Sequence, residues 1–344
     1  MTPWRRADAS CIVMGMKFTL SWLKEYLETN ATLNDVSAKL TAIGLEVEGI
    51  EDKAAQLKGF VVGHVLSAEK HPDADKLQCL VVDTGKEKLK VVCGAPNARA
   101  GLKGVFAPAG SYIPGLNVTL KKTSIRGQES NGMMCSAREL VLGEDHAGII
   151  ELAGDAVAGS LAADALGVND PVIEINLTPN RGDCAGIYGV ARDLAAAGLG
   201  RLKALDVPAV KGAFKNPVSV TLKDSGCPLF LGRYIRGCKV GASPVWLQKR
   251  LKSVGLNPVS APVDVTNYMT LAFNRPLHVF DAAKIKGGIH VRFARGGETL
   301  EALNGKTYSL DAGMIAVCDD AGVLGLGGVI GGAPSSVTEM TTDI

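Results

Sequence analysis

The side chains best suited to metal or nucleophilic chemistry are thinly spread along this 344-residue chain. Eight cysteines stand at 11, 79, 93, 135, 184, 227, 238 and 318. No two form a CxxC pair, and their spacing suits neither a zinc site nor a dense disulfide framework. Scattered single cysteines point to reduced thiols and a cytoplasmic protein. The five histidines are just as dispersed, so no metal site is expected. What remains is chemistry carried by one side chain at a time. His278, in PLHVFD at 276–281, is such a candidate. A neutral imidazole can position a water without a metal. A lone histidine is also a common structural residue, and its neighbours in sequence leave both readings open.

Two stretches imitate phosphate-binding motifs. NGKT at 304–307 looks like the end of a P-loop, but that motif needs glycine at 300, where this chain has Leu300. Asn304–Gly305, between ETLEAL and KTYSL, reads as a tight hairpin turn. The glycine run at 325–332 does not give GxGxxG in register and lacks the strand–helix context. Nucleotide binding by this chain is therefore not supported. Asn180, Arg181 and Asp183 read as turn and cap chemistry, with Asp183 capping the helix that follows.

Charge singles out one region. From Ala55 to Ser136 there are eleven Lys and Arg against six Asp and Glu, a balance of +5 in a chain whose total is +2. A basic surface of this kind draws in phosphate backbone without reading sequence, although a solvated lysine face has the same composition. No run approaches eighteen uninterrupted apolar residues, so no membrane span is expected.

The elements that must position these residues follow from periodicity. In the basic region, short apolar runs predict strands around 61–66, 80–82, 89–92, 105–107 and 116–120. Five short strands with glycine-bearing connections suit a small closed Greek-key barrel of the OB type. Before it, Lys17–Leu20 reads as a strand, Ser21 as the cap of a helix, Val36, Leu40 and Ile43 as one face of a second helix, and 45–50 as a strand. After it, 172–178 reads as a strand and Ile187, Val190, Ala191 and Leu194 as one helix face ending at Gly198. The flanking pieces are each too small for a good core, so they are expected to pair, with the barrel inserted between them. A linker is expected at 201–216. Beyond it, strands are expected at VSVTL, LGRYIRG, KVG, IHVRFA, ETLEAL and MIAVCDD, with a helix from Ser243 whose inner face carries Trp246, Leu247, Leu251 and Val254.

HPDADKL, VVCGAPN and SIRGQESNGMMCS resemble the EMAP-like tRNA-binding barrel. By that resemblance the surface carrying Lys76, Asn97, Lys121, Lys122, Arg126 and Ser136 would face RNA. The wider order of MKFTLSWLKEYL, GLEVEGIE, the barrel, TPNRGDCAGIYGVARDLA and then VDVTNY with PLHVFD resembles the β-subunit family of bacterial phenylalanyl-tRNA synthetases. The resemblance implies an α+β multidomain chain. Its expected parts are an N-terminal extension at 1–15, a discontinuous small α/β domain at 16–54 and 165–200, the OB-fold tRNA-binding domain at 55–164, and an α+β editing domain at 217–344, incomplete at its C-terminus. It also implies that His278 acts in hydrolysis of tyrosine wrongly attached to the phenylalanine tRNA, through water, substrate or the terminal ribose hydroxyl. Asn267 and the backbone at Gly331 and Gly332 would line the pocket.

In that family a pocket glutamate and threonine lie just past Ile344, where the chain is expected to enter a strand, and Glu339 belongs to the loop before it. The chain thus reads as an N-terminal fragment. It would have tRNA and an α subunit as partners, in an α2β2 heterotetramer, and no cofactor of its own. ATP and Mg2+ would be handled by the α subunit. The alternative is a stand-alone tRNA-binding or trans-editing protein.

Overall fold

The computed structural model describes residues 14–143 and 145–344. Most of the expected 1–15 extension lies outside them. Its last two residues do not: the first strand is Met14–Thr19, two residues upstream of the expected start at Met16. The chain divides into two compact units, one of residues 49–173 and one built from the residues on either side of that segment.

The 49–173 unit is built on a five-stranded antiparallel sheet. In spatial order its strands are Gly132–Met134, Lys103–Pro108, Val61–His71, Ala74–Asp83 and Lys88–Cys93. Four of the expected strands are present. The fifth is not 116–120: Leu116 and Val118 are exposed, and only Val118–Thr119 pairs, in a small hairpin with Tyr112–Ile113. Alternation there reflects a two-residue ribbon. Gly132–Met134 takes the fifth place instead, because Met134 reaches the core and its glycine allows the strand to press on Phe106. The two edges of the sheet come together. Asn131 N–H donates to Lys90 O at 2.9 Å and Val92 N–H to the Ser130 hydroxyl at 3.2 Å, which nearly closes a barrel. Val65, Leu80, Val82, Val91, Phe106 and Met134 fill its interior.

The other unit begins with a three-stranded sheet in the order Met14–Thr19, Val172–Leu177, Val47–Glu51. The helix Leu20–Tyr26 packs Trp22, Leu23 and Tyr26 inward and is capped by the Thr19 hydroxyl, not by Ser21. Leu33–Ala42 is capped by Thr32 in a full capping box with Asp35, and Gly44 follows it with φ +87°, a conformation glycine adopts without Cβ strain. Ile187–Ala196 buries Ile187, Val190, Ala191 and Leu194 as its spacing predicts. Its N-cap is Gly186, and Asp183 lies in a preceding 3-10 turn where Arg181 and Arg192 hold its carboxylate.

From 217 onward the same unit carries a second five-stranded sheet. Its order is Val220–Leu222, Ile289–Phe293, Ile315–Cys318, Val323–Leu326 and Ile330–Gly331. Thr299–Glu301 and Thr307–Ser309 form the hairpin expected around Asn304–Gly305, with Gly305 at φ +75°. LGRYIRG and KVG form no strand. Ile235 instead exchanges both backbone hydrogen bonds with Ile344, at 2.8 and 2.9 Å, so the last residues lie along this segment as a strand would. The helix Val245–Ser253 packs against the helix Ala261–Phe273. Val245–Ser253 buries Leu247 and Leu251 but leaves Trp246 54% exposed, against expectation. Trp246 meets Tyr268 edge-on at 5.7 Å, and Tyr268 stacks on Trp22 at 5.4 Å and shares a hydroxyl contact of 3.1 Å with Tyr26. That aromatic column joins the early helix to the later ones.

Candidate functional site

His278 is placed by what stands on either side of it. The helix Ala261–Phe273 ends at Asn274, whose left-handed φ of 50° turns the chain out, and Pro276 cannot continue a helix. Downstream, Asp281 is a buried anchor. Its N–H donates to Ser335 O at 3.0 Å, and its carboxylate accepts from the Thr341 hydroxyl at 2.7 Å and from Ala283 N–H at 3.1 Å. The extended run between these points carries the imidazole.

His278 is exposed, yet its ring is crowded by two neighbours. Phe280 meets it edge-on at 4.4 Å between centroids. Gly331 lies directly beneath it. A Cβ there would stand 2.0 Å from His278 Cε1 and 2.6 Å from Nε2, so only glycine leaves room for the ring. Loss of hydration lowers the His278 pKa below its ordinary value, which favours the neutral imidazole. The structure thus brings His278 and Gly331 together. Gly332 serves the sheet: its N–H donates to Leu324 O at 2.7 Å, and the Gly331 carbonyl accepts from Leu303 N–H at 3.0 Å.

His278 lines a cavity of about 600 Å³ whose wall includes Val218, Phe230, Val265, Thr266, Leu277 and Ile289. Thr266 was missed by sequence reasoning. The signal was available, since Pro262, Val265 and Thr266 share a helix face at spacings of three and four. Of the expected pocket residues, Asn267 is the next position round the helix, half-buried and not part of the lining, and Gly331 and Gly332 are not part of it either. The start of this helix is fixed by Asp264, fully buried, which accepts from the Ser243 hydroxyl and from Val259 N–H at 2.9 Å.

On the barrel, Lys76, Lys121, Lys122 and Arg126 are exposed. Arg126 sits at the tip of the Thr123–Ile125/Gln128–Ser130 hairpin and donates to Asp73 O at 2.9 Å. His71, 4% exposed, fastens the same hairpin. Its Nδ1 accepts from Asp73 N–H at 3.0 Å, so its Nε2 carries the proton given to Ile125 O, also at 3.0 Å. Arg126 is thereby brought to the turn that precedes Lys76. Asn97 and Ser136 are placed differently. The Asn97 amide is spent on Ile149 N–H and O, each at 2.9 Å, and on Glu151. Ser136 is 6% exposed, its hydroxyl turned to Glu139 N–H at 3.4 Å. Both hold loops, and neither offers the free surface expected of it.

Among the described residues, one group has the composition of a metal site: Asp183, Cys184 and Asp193. The Arg181 guanidinium already lies among them, bonded to both carboxylates and to the thiol at 2.7 Å. A cation fills the place, and Mg2+ requires oxygen ligands in near-octahedral array. NGKT is a hairpin turn, and the glycines at 325–331 lie in two short strands and the turn between them, so neither stretch forms a phosphate cradle. The Asp183, Cys184 and Asp193 group, with the Arg181 guanidinium among it, does not fit Mg2+.

The described residues thus hold a nearly closed barrel with exposed cations, and a mixed α/β region with a histidine in the wall of a mostly apolar cavity. Comparison with known proteins gives the relatives of both regions. Residues 60–161 match the putative tRNA binding domain and residues 226–344 match the B3/4 domain. Over 96% of its length the chain is a homologue of phenylalanine–tRNA ligase β subunits. It is 57% identical to that of Paramagnetospirillum magneticum over 334 residues and 56% identical to that of Rhodopseudomonas palustris over 332. It spans 42% and 41% of the length of these relatives. A crystallised N-terminal fragment of the phenylalanyl-tRNA synthetase β subunit from Pyrococcus horikoshii is a distant likeness. It is 19% identical, covers 51% of this chain and 54% of that one, and has a TM-score of 0.30.

Proposed function

We propose that this chain is the tRNA-binding and proofreading part of a phenylalanine–tRNA ligase β subunit. In this reading the EMAP-like OB barrel holds tRNA by its exposed cations, and the B3/4 region is an editing domain that hydrolyses Tyr-tRNA at the His278 cavity. The observation that carries it is His278 itself, seated on Gly331 in the wall of a cavity of about 600 Å³. A synthetic pocket shaped for phenylalanine rejects an added hydroxyl poorly, so a second site is needed to remove tyrosine.

The chemistry asks little of the protein. Water attacks the ester carbonyl, the bond to the terminal ribose oxygen breaks, and the water's proton passes to that oxygen. The products are tyrosine and an intact tRNA end. His278, neutral because burial disfavours its charged form, accepts a hydrogen bond from the attacking water or the adjacent ribose hydroxyl. Formation of Phe-tRNA from phenylalanine, tRNA and ATP, with Mg2+, is assigned to an α subunit in an α2β2 assembly. The stand-alone trans-editing reading is not favoured, since the relatives are ligase β subunits. The test is deacylation of Tyr-tRNA by the wild-type chain and by His278→Ala. Loss of hydrolysis on substitution is expected, and an unchanged rate refutes the assignment.

A further inference from the structure

The His278 cavity is mostly apolar, yet two of its lining residues are Arg233 and Lys239, and no Asp or Glu side chain lines it. Both cations are exposed, which places them at its solvent side. Neither is neutralised. Arg233 uses one nitrogen on Val210 O at 2.6 Å, and Lys239 has no hydrogen-bond or ion-pair partner among the described residues. The nearby Asp343 carboxylate is already held by the Tyr234 hydroxyl at 3.0 Å and Gly237 N–H at 3.1 Å. The third cation of this stretch, Arg236, is stacked over Phe214 at 4.2 Å and does not line the cavity.

From this charge pattern we infer that Arg233 and Lys239 form a phosphodiester subsite at the rim of the cavity. It grips the backbone just before the terminal nucleoside while the esterified amino acid enters the apolar interior. The inference rests on the proofreading reading and adds to it a binding site for the nucleic-acid end. Guanidinium and ammonium groups both bind phosphate, the first by paired N–H donors and the second as a point charge. Two unpaired cations beside an apolar hollow match a ligand with one charged and one apolar end. In the ester the amino acid's own carboxylate is masked, so the anion left to meet them is the phosphodiester.

The experiment compares two probes on the full 344-residue chain by calorimetry. One is amide-linked tyrosyl-adenosine, which resists hydrolysis. The other is the same nucleoside extended on its 5′ side by a phosphodiester and cytidine. The extended probe is expected to bind roughly tenfold tighter at low salt, as two exposed ion contacts provide, and the advantage should shrink as salt is raised. In the double variant Arg233→Met, Lys239→Met the advantage should vanish while affinity for the bare nucleoside stays the same. Lys239→Met alone, which disturbs no hydrogen bond, should remove part of it. If the double variant keeps the full advantage, the phosphodiester subsite is refuted and the proofreading reading stands. If neither probe binds the wild-type chain, the proofreading reading fails and takes the subsite with it.

Discussion

Gly331→Ala is the sharpest perturbation the structure offers. The added methyl would lie 2.0 Å from His278 Cε1, where ordinary contact begins at 3.4 Å, so the imidazole must retreat by about 1.4 Å. Phe280, 4.4 Å away edge-on, limits one direction of escape, and the ring should swing toward the cavity. A misplacement of about 1 Å in a positioning group costs on the order of a hundredfold in rate. Overpacking should also cost about 1–3 kcal/mol of stability, so the variant is to be assayed well below its melting temperature. The assay is deacylation of Tyr-tRNA, run beside His278→Ala and the double variant. Gly331→Ala should lose about two orders of magnitude, and adding it to His278→Ala should lose little more, since both act through one ring. A folded Gly331→Ala protein with the wild-type rate, or with losses that add fully to those of His278→Ala, would refute the reasoning.

Other expectations follow from single side chains. Replacing Lys121, Lys122 and Arg126 by alanine should weaken tRNA binding and reduce the dependence of log affinity on log salt by about one for each phosphate no longer neutralised, read from titrations across salt. Ser136→Ala should leave that slope unchanged and cost about 1 kcal/mol in denaturant unfolding, because the hydroxyl is buried and turned to its own loop. Hydrolysis should require neutral His278. Since its pKa is lowered, activity should persist on acidification past the ordinary histidine range and fall only below it, as a pH–rate profile would show. Glu298, held by Arg292 and its backbone partners, titrates at about 2 in place of 4.5. Its contribution to stability is therefore full above about 4.5 and lost as pH falls toward 2, and Glu298→Gln should flatten acid unfolding in that window.

Much of this was legible in the sequence where one local rule decided the outcome. The helix faces of Val36 with Leu40, and of Ile187 with Val190 and Leu194, follow from burial at a period of 3.6. The Asn304–Gly305 hairpin follows from turn chemistry. Errors arose where a distant partner decided. Gly132–Met134 enters the sheet because the barrel closes on it, while the alternation of Leu116 and Val118 looked like a strand without one. Asp183 left its expected cap because Arg181 before it and Arg192 after it both bind the carboxylate. At the candidate site, His278 and Gly331 lie far apart in the chain, and the sequence alone contains no distance between them. Gly331 is held in the sheet beside Val323–Leu326, and the run carrying His278 is tied by Asp281 N–H to Ser335 O, a little beyond Gly331 in the chain. Asn267 and Thr266 differ by one residue, and helix rotation put the threonine on the cavity.

The central claim is that the His278 cavity removes tyrosine from tRNA. The direct measurement is the rate at which preformed Tyr-tRNA loses its amino acid in the presence of the 344-residue chain, against buffer and against His278→Ala. Hydrolysis well above the spontaneous rate with wild type, returning to that rate with His278→Ala, is the predicted result. A wild-type rate no faster than buffer, or one that His278→Ala leaves intact, would contradict it.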